Sequence, residues 1–137
     1  MRREDGSITT EVVLLTPVML VLLGFVVMTG RIGEVDGAVT HAAQQAARAG
    51  TLAGNADTAR SAAGATVRAN LDHLGVTCSR LDVAVDTSRF RPGGDVTVQV
   101  TCTVALGDVA FTGLPGQRTS SSRAVEVVDV YRGGGVP

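Results

Sequence analysis

Hydrophobic and polar positions fall into three spacing regimes along the chain, and each predicts a different kind of element. Residues 12–30, VVLLTPVMLVLLGFVVMTG, contain no ionisable group. At about 1.5 Å of rise per residue, a helix of that length nearly crosses a hydrocarbon core of about 30 Å. The run therefore predicts a transmembrane helix over 7–30. A cleaved secretory signal has a shorter apolar region, roughly 7–15 residues, followed by small neutral residues at the cut. Here TGRIGEVDG follows, with no A-x-A pattern and with charges in that place. A retained anchor is the better reading.

Past the span the spacing becomes amphipathic. Ile32, Val35, Val39, Ala42, Ala43, Ala46 and Ala49 recur at steps of three and four, which predicts one rod over 11–52 with a kink at Pro17. Its apolar stripe is mostly alanine, able to pack closely but burying little area, so the rod needs a neighbour. Gly54 suits a helix end, and Asn55 or Asp57 suits the cap of a second helix over 57–74. That helix carries Ala59, Ala62, Ala63, Thr66, Val67, Asn70, Leu71 and Leu74 along one side, with Gly75 as terminator.

After Gly75 the period drops to two. Leu81, Val83 and Val85 alternate with polar or small residues, as do Val96, Val98, Val100, Cys102, Val104 and Leu106. The two runs predict a hairpin with one buried face and the turn-rich loop SRFRPGG. With Val85 near Val96, counting back brings Cys78 close to Cys102. GDVAFTGLPGQ is a long connection, RAVEVVDVY over 123–131 predicts a third strand, and 132–137 is a loose tail. The fold class is α+β: a long N-terminal transmembrane helix, a second helix, then a small three-stranded antiparallel sheet. Its parts are a leader over 1–6, the span over 7–30, and an extracytoplasmic domain over 31–137, helical to 74 and β over 78–131.

Charge and cysteines orient this arrangement. Arg2 and Arg3 precede the span and Arg31 follows it, a basic excess that favours a cytoplasmic N-terminus. Cys78 and Cys102 are the only cysteines and lie beyond the span, where an N-in, C-out topology permits a disulfide. Two buried free thiols are the alternative. The chain of 137 residues has a formal net charge of −1 and no like-charge run, so it carries no footprint for nucleic acid or acidic lipid.

No catalytic constellation stands out, and neither a cofactor, a metal site nor a small-molecule substrate is expected. His41 and His73 lack partners at metal-ligand spacing, Gly93 and Gly94 belong to a hairpin turn, and Ser120, Ser121 and Ser122 have no evident base. Gly33 and Gly37 form a small-xxx-small pair, read either as a close helix contact or as chance in a glycine-rich chain. Glu11 is the only charge between Asp5 and Arg31. It either snorkels to the interface or pairs with a cation. A cut after Gly6 would create an α-amino group at Ser7, one helical turn from Glu11 and on the same face.

GSITTE followed by the apolar run resembles the prepilin signal of type IV pilins: Gly at the cut, Glu at the fifth mature position, a hydrophobic helix behind. Together with VTHAAQQAARAGTLA, RFRPGGDVTVQVTC and the closing VDVYR, it is similar to the TadE-like proteins of tight-adherence (Flp-type) pilus systems, in their actinobacterial form. The resemblance implies a non-enzymatic, pilin-like membrane subunit, or minor pseudopilin, of Tad pilus assembly or the associated secretion machinery. It implies prepilin peptidase cleavage between Gly6 and Ser7, with Glu11 pairing the new N-terminus. Its implied partners are the lipid bilayer, other pilin-like subunits and Tad apparatus proteins. The leader departs from the pattern, because Glu4 and Asp5 offset Arg2 and Arg3. An uncleaved bitopic protein tethering a binding or secreted effector module is the alternative.

Overall fold

The structure, a computed structural model, describes residues 5–107 and 116–131, with side chains from residue 8 onward. The first four residues of the expected leader, most of the 107–117 connection and the expected tail over 132–137 lie outside the described residues. Helix α1 (Asp5–Thr51) is a single element of 47 residues that contains the span, Pro17 and the alanine-rich stripe. Pro17 has no N–H to give to the Val13 carbonyl, so one rung of the ladder is missing there.

Helix α2 (Ala56–His73) follows a short connection and packs back on α1. Its start is fixed by Asn55, whose side-chain oxygen accepts the Thr58 N–H at 2.9 Å. Its end is a Schellman turn: Gly75 N–H donates to the Asp72 carbonyl and Val76 N–H to the Leu71 carbonyl, at 3.1 and 2.9 Å. Gly75 takes φ +71, the left-handed geometry that this turn needs. The buried stripe is narrower than the spacing suggested, Ala59, Ala63, Val67 and Leu71, while Leu74 caps the helix and is exposed. On α1 the buried set is Val35, Ala38, Val39, Ala42, Ala43, Ala46 and Ala47. With alanines facing one another, the two helix backbones approach closely, and burial per residue is small.

The sheet is antiparallel, in the order β1 (Arg80–Asp86), β2 (Asp95–Ala105), β3 (Gln117–Val127). α1 lies across the β2–β3 half of one face, and α2 lies beside it towards β1. Val96, Val98, Val100, Cys102 and Val104 alternate into the layer between helices and sheet, all but fully buried. Gly50 lets α1 close on β2, because a Cβ there would stand 3.1 Å from Val96 Cγ1.

The register departs from the expected one by two residues: Val85 pairs with Val98, not Val96. The connection over 87–94 folds on itself, with Phe90 N–H donating to the Thr87 carbonyl and Gly94 N–H to the Arg91 carbonyl. It is then stitched to the chain after β3, through Gly93 N–H to the Val128 carbonyl and Val128 N–H to the Gly94 carbonyl. Asp95 and Val96 consequently pair with β3 and extend beyond β1. β3 also starts earlier than expected, at Gln117, and stops at Val127. Its core-side positions are Arg118, Ser120, Ser122, Ala124 and Glu126, since these oppose the buried positions of β2. The small side chains of Ser120, Ser122 and Ala124 leave room for α1. Val125 and Val127 point outward, 54% and 67% exposed.

Candidate functional site

The functional surface begins with α1 itself. From position 12 to position 27 every large apolar side chain is exposed, Val21 by 72% and Phe25 by 68%. None of the most apolar window of Ile8–Thr51 is buried by the rest of the chain. A stripe of that size is unsuited to water and asks for lipid or neighbouring helices. The polar groups within it are already satisfied: the Thr16 hydroxyl donates to the Val12 carbonyl at 2.7 Å and the Thr29 hydroxyl to the Phe25 carbonyl at 2.9 Å.

Gly6 and Ser7 lie in the first turns of α1 and Glu11 one turn further on, its side chain exposed. Gly33 and Gly37 are exposed on α1, with Gly37 lining a cleft between α1 and the end of α2, and a Cβ at either would meet nothing within 4 Å. Among the described residues nothing packs against them, so the pair is an open surface just past the apolar run.

Beyond the span, α1 is fastened to the head by an ion pair that local sequence did not announce. Arg118 Nη2 on β3 stands 2.9 Å from Asp36 Oδ2 on α1. The Ser120 hydroxyl holds the Asp36 carboxyl below its ordinary range; burial opposes this, and the Arg118 guanidinium reinforces it. Asp36 lies past the apolar run, against the head, and the partners are 82 residues apart in sequence. Only the register of β3 brings them together, and no spacing signal marks either residue.

Cys78 and Cys102 are joined as a disulfide, with Cα atoms 5.5 Å apart. Cys78 sits before β1, while Leu81 occupies the register position opposite Cys102, so the bridge ties the α2–β1 linker to β2. Ser79 supports the same joint, donating from its N–H and its hydroxyl to the Thr103 carbonyl at 2.7 and 2.9 Å.

His41 is exposed on α1 at the edge of a cleft, and His73 is exposed in the last turn of α2. Gly93 and Gly94 lie in the hairpin connection. Ser120 is buried near Asp36, and Ser121 shares a hydrogen bond with Thr101 at 3.2 Å on the outer face. Among the described residues no group of three His, Cys, Asp or Glu side chains could hold a metal ion.

An exposed apolar helix that runs unbroken into the core of a small α+β head defines a membrane-anchored protein. Residues 6–48 are similar to the family whose model is described as TadE-like protein. The match covers the span and the alanine-rich stripe and stops before α2 and the sheet. No curated protein matches the chain, and no solved structure does.

Proposed function

We propose that this chain is a non-enzymatic pilin-like subunit, a minor pseudopilin, acting in Tad pilus assembly or the associated secretion machinery. One observation carries the reading: the bare apolar half of α1 and the half that cores the head are one continuous helix. Such a helix is stored in the bilayer by its apolar side chains and transferred from lipid to neighbouring helices without refolding the head.

In this reading residues 1–6 are a leader, 7–30 span the cytoplasmic membrane, and 31–137 lie outside it, with the N-terminus inside. The disulfide supports that orientation, since disulfides persist outside the reducing cytosol. Prepilin peptidase cuts between Gly6 and Ser7, and the carboxylate of Glu11 meets the new amino group of its own chain or of a neighbour. Desolvating a carboxylate near the bilayer is costly, and a paired ammonium offsets that cost. Other pilin-like subunits and Tad apparatus proteins then cover the apolar face of α1.

The acidic pair Glu4 and Asp5 in the leader favours a second reading, an uncleaved bitopic protein that tethers its head as a binding or secreted effector module. Intact-mass measurement on the membrane fraction separates the two. Loss of residues 1–6, abolished by Gly6→Ala, is the expected result. A full-length chain in a strain that still assembles pili would overturn the cleaved, pilin-like reading.

A further inference from the structure

The underside of the head contains a feature that anchoring and subunit packing leave unused. A cleft of about 630 Å³ opens between α1 and the C-terminal corner of α2, lined among others by Arg31, Glu34, Leu74, Val76 and Val104. Its lower lip is Arg31, the first charged residue after the apolar run, directly following Gly30. The cleft thus begins at the height where the acyl region of a bilayer would end.

α2 reaches this level because it folds back along α1 after a short connection, and its Schellman turn places Leu74, Gly75 and Val76 beside Arg31. Leu74 is 49% exposed there, while the neighbouring Val76 only partly enters the core. A cation beside exposed aliphatic side chains, next to the exit of a span, has the composition of a membrane-interface contact. Arg31 is paired with Glu34 at 3.3 Å, but both side chains are more than half exposed, which leaves the guanidinium open to a phosphate.

We propose that this corner of the head rests on the bilayer, with Leu74 and Val76 in the glycerol and upper acyl layer and phospholipid headgroups filling the cleft beside Arg31. The head then has one membrane-facing side and a defined tilt, leaving its distal loops clear for partners. The proposal rests on the anchored reading of α1 and deepens it.

The chain contains no tryptophan, so single substitutions make clean reporters. Phe25, Leu74 and Leu52 are 68%, 49% and 57% exposed, so a larger ring fits at each without disturbing the core. The full chain carrying F25W, L74W or L52W is reconstituted in phosphatidylglycerol–phosphatidylcholine vesicles containing lipid brominated near the head of the acyl chain. The expected result is loss of emission for F25W and L74W and none for L52W, which lies at the far end of α1. Quenching of F25W with L74W as bright as L52W would overturn the proposal while leaving the anchor intact. An unquenched F25W would overturn the anchor and the proposal together, and equal quenching of all three would overturn docking by this corner.

Discussion

Arg118 on the edge strand β3 and Asp36 on α1 form an ion pair of 2.9 Å that ties the edge of the sheet to the helix. Asp36 is held ionised chiefly by the Ser120 hydroxyl and then by Arg118. A carboxylate whose folded pKa is depressed stabilises the fold above its unfolded pKa, and loses that contribution as pH falls through the folded value. The window therefore lies below the ordinary value of 3.8. Both side chains are more than two-fifths exposed, which limits the pair to less than about 1 kcal/mol. Asp36→Asn should lower the melting temperature of the detergent-solubilised chain slightly at neutral pH. The gap from wild type should close in strong acid, and a gap independent of pH would contradict this account.

The hairpin connection contains a more severe constraint at Gly94. A Cβ at that position would run into the carbonyl oxygen of Arg89, a backbone atom that no rotamer change can move. Gly94→Ala must therefore open the loop that stitches residues 93 and 94 to Val128, at a cost on the order of 2 kcal/mol. Urea unfolding followed by circular dichroism would measure it. A midpoint unchanged from wild type would show that the loop relaxes freely.

Much of this fold is legible in side-chain spacing. The three-and-four recurrence marks the buried faces of α1 and α2, and strict alternation marks the core side of β2, because each element buries one face only. Spacing fails where neighbours decide the outcome. β3 reads as beginning at Arg123 because its first half is serine- and threonine-rich, yet Ser120 and Ser122 lie inward where α1 leaves room only for small side chains. The hairpin register slips by two because the connection makes its own turns and passes Asp95 and Val96 to β3. In the candidate site, Glu11 and the Gly33–Gly37 pair stand out locally. The Arg118–Asp36 pair does not, since its partners meet only in the folded sheet.

The bridge between Cys78 and Cys102 spans a sequence separation of 24 and closes the loop containing β1. Restricting the unfolded chain over that distance is worth about 3 kcal/mol in the loop-entropy account. For a head of this size, reduction should lower the melting temperature by about 10 °C or more. The comparison is wild type with and without reductant, alongside the Cys78→Ser/Cys102→Ser double variant. If all three melt within about 2 °C of one another, the bridge adds little beyond the Ser79–Thr103 hydrogen bonds.

Gly33 and Gly37 offer the sharpest distinction between stability and assembly. Among the described residues nothing stands within 4 Å of a Cβ at either position, so alanine adds no clash there and gains helix propensity, about 1 kcal/mol per exposed site. Gly33→Ala/Gly37→Ala should therefore be at least as stable as wild type when solubilised as a monomer. A neighbouring helix packed against these glycines would instead need them bare, since close backbone approach is what small residues permit. Gly33→Leu/Gly37→Leu should then keep the monomeric fold while reducing cross-linking to other subunits in the membrane about tenfold, equivalent to roughly 1.4 kcal/mol of lost packing. Undiminished cross-linking in the leucine variant would assign the pair to the chain's glycine-rich composition, and the helix–helix contact would have to lie on another face of α1.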